Sequence, residues 1–192
     1  MNETHFDTAS ANAEGLRKAR LFVVMGVSGS GKSTIGEALA DRIGAAFIDA
    51  DDLHPRANVA KMAGGHALED SDRWPWLEIV ANAMRDRAQS MGSSVCACSA
   101  LKRSYRDFLV RHAGEAIGFV HLHGDKAVIA ERQSGRKGHF MPSSLLKSQF
   151  DTLEPLARDE LGVLIDVSGT VSETIDAAAR ALGAPGQRSS TS

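Results

Sequence analysis

The chain has 192 residues, of which 43% are hydrophobic and 24% are charged. These values are ordinary for a globular protein, and they exclude a wholly disordered chain, a collagen-like repeat and a coiled coil. The length indicates one domain of usual size, with a core large enough to fold without disulfides or a structural metal. The net charge of −2 argues against a protein that coats nucleic acid or an anionic membrane surface.

The ends of the chain and its cysteines indicate a location. Cys96 and Cys98 have no second pair with which to build a zinc site or a disulfide framework, which predicts a reducing, cytoplasmic compartment. No run approaches the roughly 20 apolar residues that span a bilayer. Residues 1–19 are expected to form a loose polar lead-in and residues 183–192 a disordered tail, which leaves residues 20–182 as a single domain.

Strand and helix patterns alternate along this domain. Five short apolar runs are predicted to be strands covered on both faces. Segments between them carry apolar residues three or four positions apart, which is the helical period. The alternation predicts an α/β fold, in which a five-stranded parallel sheet has helices on both faces. The predicted strands are residues 20–25, 46–50, 94–98, 117–122 and 163–167.

The segment after the first predicted strand, residues 26–33, matches the motif G-x-x-x-x-G-K-[ST] in full. Its glycines let backbone N–H groups point at phosphates, and the following helix adds the positive end of its dipole. Lys32 is placed to neutralise the β- and γ-phosphates, and the Ser33 hydroxyl to bind Mg²⁺. A flexible Gly-Ser turn is the alternative, but it explains neither the strand before nor the helix after. The predicted nucleotide-binding residues are Gly26, Val27, Ser28, Gly29, Ser30, Gly31, Lys32, Ser33 and Thr34.

Three carboxylates lie at and just beyond the end of the second predicted strand, at Asp49, Asp51 and Asp52. In an extended chain, Asp49 and Asp51 point to the same side. Carboxylates so close repel one another, and a phosphoryl-transfer site is a place that needs them. We assign Asp49 to the Mg²⁺ shell and Asp51 to the acceptor hydroxyl, which it would orient or deprotonate. A solvated acidic turn is the alternative, and for Asp52 a helix cap is preferred.

Two further segments are candidates for a substrate-binding region and a mobile lid. Residues 52–92 are longer than a plain crossover needs, and residues 133–142 are polar and basic. Ligands of open α/β sheets bind beyond the carboxyl ends of the strands, so we predict a substrate lobe and a lid. Arg132 and Arg136 are four residues apart and would stabilise charge on the transferred phosphoryl group. A plain basic loop is the alternative.

Several blocks of the sequence resemble those of a known protein family. Residues 49–62, Asp-Ala-Asp-Asp-Leu-His-Pro-Arg-Ala-Asn-Val-Ala-Lys-Met, resemble the D-G-D-x-L-H-P-x-x-N-x-x-K-M block of gluconate kinases. The sequence departs from the family pattern at Ala50, where glycine is usual, and at Asp52, where bulkier residues are common. The resemblance covers about residues 21–182. The further matching blocks are residues 68–77, 98–102 with 105–107, 136–140 and 148–155.

The resemblance implies a P-loop kinase of the nucleoside-monophosphate-kinase-like type, working as a homodimer. It implies ATP-dependent phosphorylation of D-gluconate at its 6-hydroxyl, in carbohydrate acid catabolism. Gluconate requires cations for its carboxylate and mixed donors and acceptors for its hydroxyls. Each basic side chain offered for this could equally be a solvated surface group. The expected substrate-binding residues are Asp51, His54, Arg56, Lys102 and Arg106, and the expected catalytic residues are Lys32, Asp51, Arg132 and Arg136.

Other functions remain as alternatives. A shikimate kinase or a nucleoside monophosphate kinase would share the phosphate loop, but would not be expected to carry Leu53-His54-Pro55. A GTP switch commonly needs an N-K-x-D motif, which this sequence does not contain. A subunit that binds ATP without catalysis is disfavoured by the retained Lys32 and Asp51.

Overall fold

A parallel sheet forms the centre of the computed structural model, which describes residues 8–129 and 143–184. Its strands run in the order β2-β3-β1-β4-β5, and all neighbours pair in parallel. The predicted five-stranded α/β fold is therefore confirmed, with every boundary within one residue of the prediction. The strands are β1 (Leu21–Met25), β2 (Ala46–Asp49), β3 (Ser94–Ala97), β4 (Ile117–His123) and β5 (Gly162–Asp166).

Helices connect the strands and cover both faces of the sheet. A short 3₁₀ turn, Ala50–Leu53, continues directly from β2. Residues 126–129 form a further helical turn beyond β4. No helix within residues 8–129 and 143–184 is both long enough and apolar enough to cross a membrane. The helices are α1 (Thr8–Lys18), α2 (Lys32–Ile43), α3 (Arg56–Ala63), α4 (Asp70–Met91), α5 (Arg103–Ala113), α6 (Ser143–Thr152) and α7 (Val171–Ala181).

The position of β1 at the centre of the sheet explains why each of its residues is apolar. Phe22 and Val24 face one core, which α2 and α7 cover, while Val23 and Met25 face another, which α4 and α5 cover. After β1 the chain moves towards one edge of the sheet to form β2. After β3 it crosses to the opposite side of β1 to form β4. The carboxyl end of β1 therefore lies where the winding direction changes, which is where open α/β sheets bind ligands.

The expectation of a loose lead-in is wrong for residues 8–18, which form α1. Leu16 is 2% exposed, in the core beneath α2. The side chain of Asn12 holds both backbone groups of Gly162: it donates to the carbonyl and accepts from the N–H, each at 3.1 Å. These contacts come from Leu16 and the side-chain amide of Asn12, so the sequence has no apolar stripe that would have predicted this helix. Of the predicted tail, residues 185–192 lie outside the described part.

Candidate active site

The phosphate loop lies between β1 and α2, and its backbone depends on glycine. Gly26, Gly29 and Gly31 have φ angles of 142°, 83° and 94°, values that other residues rarely adopt. A Cβ atom on Gly26 would lie 2.8 Å from the carbonyl oxygen of Leu122, so the loop contacts β4 directly. Gly31 is the N-cap of α2, so the positive end of the helix dipole lies directly at the end of the loop. The predicted glycine-rich turn between a strand and a helix is present, and its phosphate-binding role remains a prediction.

Lys32 and Ser33 point in different directions from the start of α2. The Lys32 ammonium donates to the carbonyl oxygen of Val27 at 2.9 Å, so it folds back over the loop. The Ser33 hydroxyl donates to Oδ2 of Asp49 at 2.7 Å. The sheet thus brings the glycine-rich motif and the acidic motif into direct contact, although 16 positions separate these two residues in sequence.

The acidic residues differ in environment because β2 ends at Asp49. The Asp49 carboxylate caps the 3₁₀ turn by accepting from the N–H of Asp51 at 3.1 Å. The expectation that Asp52 caps a helix is wrong, because Asp49 caps the turn and Pro55 is the N-cap residue of α3. The Asp51 side chain is 86% exposed, so its carboxylate faces solvent.

The pKa of Asp51 is raised above its ordinary value. The largest cause is desolvation by the surrounding protein, followed by the negative charge of Asp49, while the Lys32 ammonium acts in the opposite direction. The side chain is nevertheless exposed, so this desolvation comes from neighbouring protein atoms and not from full enclosure. A carboxylate with a raised pKa is a better proton acceptor, which suits the role expected of Asp51.

His54 lies behind Asp51 and is held by aromatic stacking. Its ring stacks on Trp76 with centroids 4.1 Å apart, and the Trp76 indole donates to the carbonyl oxygen of Ala50 at 2.8 Å. Its Nε2 lies 3.9 Å from Oδ1 of Asp51, and its Nδ1 lies 3.5 Å from the amide nitrogen of Asn58. Burial lowers the pKa of His54, which favours the neutral ring. His54 is therefore a poor cation for a substrate carboxylate and a good neutral neighbour for Asp51.

Lys102 follows β3 and contacts the start of α4. Its ammonium lies 2.9 Å from both oxygens of Asp70, and the Tyr105 hydroxyl donates to the same carboxylate at 2.5 Å. Hydrogen bonds from Tyr105 and then Lys102 lower the pKa of Asp70. Lys102 therefore joins the loop after β3 to the start of α4. Arg56 is exposed at the start of α3 and, among the described residues, forms no ion pair.

The prediction that Arg106 binds substrate is not supported, because its side chain belongs to the interior. It is 1% exposed, and its guanidinium pairs with the Glu160 carboxylate through Nε and Nη2, at 2.5 Å and 2.9 Å. Its Nη1 donates to the carbonyl oxygens of Ala100, Leu101 and Glu154 at 3.1, 3.2 and 3.1 Å. All its donors are engaged, so Arg106 ties α5 to the chain that follows α6.

Sequence reasoning missed one residue beside the phosphate loop. Oε1 of Gln149, on α6, accepts a hydrogen bond of 2.6 Å from the backbone N–H of Ser28. The only sequence signal was that Gln149 falls in the matching block 148–155, and a lone glutamine suggests no chemistry. Trp76, which the sequence suggested as a packing anchor, is buried in the core beneath α4.

The remaining expectations concern metals and the lid. Arg132, Arg136 and the lid at residues 133–142 lie outside the described residues. Within the described part, no group of three or more His, Cys, Asp or Glu side chains is arranged to hold a metal. Cys96 and Cys98 are buried free thiols, and burial raises the pKa of Cys98 to about 12. They are core residues, as their strand position suggested.

Comparisons with known proteins agree on the class of protein. Residues 21–156 match a family model described as an AAA domain. The thermoresistant gluconokinase of Escherichia coli (strain K12) is 43% identical over 161 residues, which cover 81% of this chain and 91% of that protein. The gluconokinase of Gluconobacter oxydans (strain 621H) is 48% identical over 152 residues, covering 79% of this chain and 84% of that protein.

Solved structures give the same picture at the level of the fold. The crystal structure of a gluconokinase from Sinorhizobium meliloti 1021 is 47% identical, covers 85% of this chain and 91% of that one, and superimposes with a TM-score of 0.77. The APS kinase CysC of Mycobacterium tuberculosis is 12% identical with a TM-score of 0.57, covering 85% of this chain and 97% of that one. At that identity the likeness shows the fold alone.

Proposed function

The chain belongs to the gluconokinase family, and from this premise we propose that it transfers the γ-phosphoryl group of ATP to the 6-hydroxyl of D-gluconate. The products would be 6-phospho-D-gluconate and ADP. The contact between Ser33 and Asp49, at 2.7 Å, carries the proposal. It joins the phosphate loop to the acidic turn, so a nucleotide held by the loop would have its terminal phosphate beside Asp51.

The phosphate loop binds and orients the triphosphate. Its backbone N–H groups and the start of α2 provide donors and a positive dipole end for phosphate oxygens. The Lys32 ammonium would exchange the Val27 carbonyl for the β- and γ-phosphates, where charge develops during transfer. This exchange exploits a difference in charge, because a phosphate oxygen attracts the ammonium more strongly than a neutral carbonyl does.

The donors between loop and acidic turn fit Mg²⁺. A hydroxyl and a carboxylate are hard oxygen ligands, and Mg²⁺ is usually held by one or two protein carboxylates together with phosphates and water. Ser33 and Asp49 would hold the ion, as the sequence predicted. When bound, Mg²⁺ would offset the negative charge of the phosphates. The contact between these two side chains keeps both in place for that role.

Asp51 is proposed as the group that accepts the proton of the substrate. The 6-hydroxyl oxygen forms a bond to the γ-phosphorus, the bond from phosphorus to the bridging oxygen breaks, and the hydroxyl proton passes to the Asp51 carboxylate. The raised pKa of Asp51 favours this transfer. The neutral His54 ring lies beside this carboxylate, with its Nε2 3.9 Å from Oδ1 of Asp51, and adds no charge that would lower the pKa of Asp51 further.

The gluconate carboxylate needs a cation, and Lys102 and Arg56 are our candidates. Lys102 is half-buried beside the lobe, where its charge is already balanced by Asp70, and Arg56 is exposed on α3. His54 would contribute hydrogen bonds to hydroxyl groups. Arg132 and Arg136 remain proposed as lid residues that stabilise transferred charge. We further propose a homodimer, from the resemblance, and a cytoplasmic location, from the two unpaired cysteines; light scattering on the purified protein would test the dimer.

The proposal is tested by measuring ADP release with ATP, Mg²⁺ and a panel of acceptors. The panel includes D-gluconate, its epimers, D-glucose and D-sorbitol, so that the acid group and the hydroxyl pattern vary separately. We expect gluconate to give the highest kcat/KM, with glucose and sorbitol poor because they lack the carboxylate. Loss of discrimination between gluconate and sorbitol would contradict an acid-binding site, and ADP release without any acceptor would indicate an ATPase.

A further inference from the structure

A side chain from α6 caps the phosphate loop. The hydrogen bond from the Ser28 N–H to Oε1 of Gln149 is 2.6 Å long and joins residues 121 positions apart. Ser28 lies in the middle of the loop whose N–H groups bind phosphate oxygens in proteins with this motif. The amide oxygen of Gln149 therefore occupies, on this donor, the position that a phosphate oxygen would take.

Gln149 is held in this position by the packing of α6. Leu146 is buried one turn before it, and the next residue, Phe150, packs against the same core. Just beyond the helix, the N–H of Glu154 donates to the carbonyl oxygen of Leu101 at 2.8 Å. The amide thus projects from a helix fixed along its inner face and after its end, so the fold holds it within reach of Ser28.

The chemistry of the contact makes it displaceable. An amide oxygen is neutral, whereas phosphate oxygens are charged, and charge-assisted hydrogen bonds are roughly twice as strong as neutral ones. The Lys32 ammonium is engaged in a similar way, by the neutral carbonyl of Val27. Both contacts use loop groups that a triphosphate needs, and both offer a weaker partner than the triphosphate does.

We propose that Gln149 is a displaceable cap of the phosphate loop, which competes with the triphosphate for the Ser28 N–H and so weakens nucleotide binding. Nucleotide binding breaks the contact and frees α6 from the loop. The inference rests on the proposed function only in taking ATP as the ligand, and it is independent of the acceptor. Gln149 is a positioning residue here, because it acts on the loop and not on reacting atoms.

The test measures ATP and tripolyphosphate affinity by calorimetry, without gluconate, for the full chain and three variants. Gln149→Ala removes one neutral hydrogen bond and should tighten binding about two- to tenfold. Gln149→Glu should weaken binding at least about tenfold, because a carboxylate holds the N–H more strongly and repels the triphosphate. Ser148→Ala, on the exposed neighbour, should leave both affinities unchanged.

Hydrogen exchange at the Ser28 amide gives a second readout. Without nucleotide, Gln149→Ala should exchange this amide faster than the natural sequence does; with saturating ATP, the two should be equally slow. Unchanged or weaker binding by Gln149→Ala overturns the inference, even where Gln149→Glu also binds weakly. If the natural sequence binds ATP normally but Gln149→Ala does not bind it more tightly, the inference about Gln149 is wrong and the proposed function is unaffected. Failure of the natural sequence to bind ATP contradicts both.

Discussion

The phosphate side and the acceptor side of the site are built differently. The phosphate side, residues 26–33, is made mostly of backbone: its glycines curl the chain, and α2 begins where the loop ends. The acceptor side is made of side chains from β2, α3, α4 and the loop after β3, each held by its own network. A backbone site is encoded locally, while a side-chain site depends on how distant elements meet.

The largest effect should come from the phosphate side. Lys32 is the cation that the motif supplies to the phosphates, so Lys32→Ala should lower kcat by at least about 10³-fold, consistent with the loss of a strong electrostatic contact in the transition state. The fold should be unchanged, because the Lys32 side chain is only partly buried and belongs to neither hydrophobic core. Steady-state kinetics and circular dichroism measure the two quantities. Retention of a tenth of the normal kcat would contradict this role.

The contrast between Arg106 and Lys102 sharpens the comparison on the acceptor side. Arg106→Met should lower the free energy of unfolding by about 3 kcal/mol, because the buried Glu160 carboxylate loses its close partner and keeps only the Ala157 N–H and Arg103 at 3.7 Å. The KM for gluconate should change less than about twofold. Lys102→Met should do the reverse, raising KM while lowering stability by at most about 1 kcal/mol, since its pair with Asp70 is partly exposed.

Urea unfolding and gluconate titrations separate these outcomes. Where Arg106→Met fails to fold, Glu160→Gln keeps the shape of the partner and should still cost stability without raising KM. A large rise in KM for either of these two variants would return Arg106 to the substrate site.

The success of the sequence predictions follows the same division between features encoded locally and features that depend on distant elements. The strands and the phosphate loop were predicted because each depends on residues adjacent in the chain. Arg106 was placed in the substrate site because one helical turn separates it from Lys102, yet that turn points it inward at Glu160. Helix α1 was missed because its described contacts include one buried leucine, Leu16, and the amide of Asn12, which form no apolar stripe. Gln149 was missed because its partner lies 121 residues away.

A smaller effect should appear in the dependence of stability on pH. His121, beside Met25 at the carboxyl end of β1, is 2% exposed, and neither ring nitrogen has a hydrogen-bond partner among the described residues. Burial, together with His123 and Arg106, lowers the pKa of His121 to about 4, from an ordinary value of 6.5. The unfolded chain therefore binds a proton that the folded chain refuses between those values, so stability falls as the pH falls through this window.

This effect amounts to about 2 kcal/mol between pH 7 and pH 5. His121→Leu should remove it, leaving stability flatter across that range, while His66→Gln at an exposed histidine serves as the matched control. Unfolding curves at several pH values measure the slope. An unchanged slope in His121→Leu would contradict a buried neutral imidazole at this position.

The central claim is that Asp51 accepts the proton of the acceptor hydroxyl while Asp49 serves the metal and Ser33. The two residues offer a matched pair, because both are aspartates of one acidic turn and differ in their contacts. Asp51→Asn keeps the size and hydrogen-bonding capacity of the side chain but is a poor base. Asp49→Asn removes a charged oxygen beside Ser33 and should raise the Mg²⁺ concentration needed for half-maximal rate.

The most direct measurement is therefore kcat for Asp51→Asn, with ATP affinity and Mg²⁺ dependence recorded for both variants. We predict that kcat falls at least about 10²-fold in Asp51→Asn, while its ATP affinity stays close to normal because the phosphate loop is intact. A near-normal kcat in this variant would contradict the proton-acceptor role. A raised Mg²⁺ requirement in Asp51→Asn, with the rate loss in Asp49→Asn, would show that the two carboxylates have been assigned in reverse.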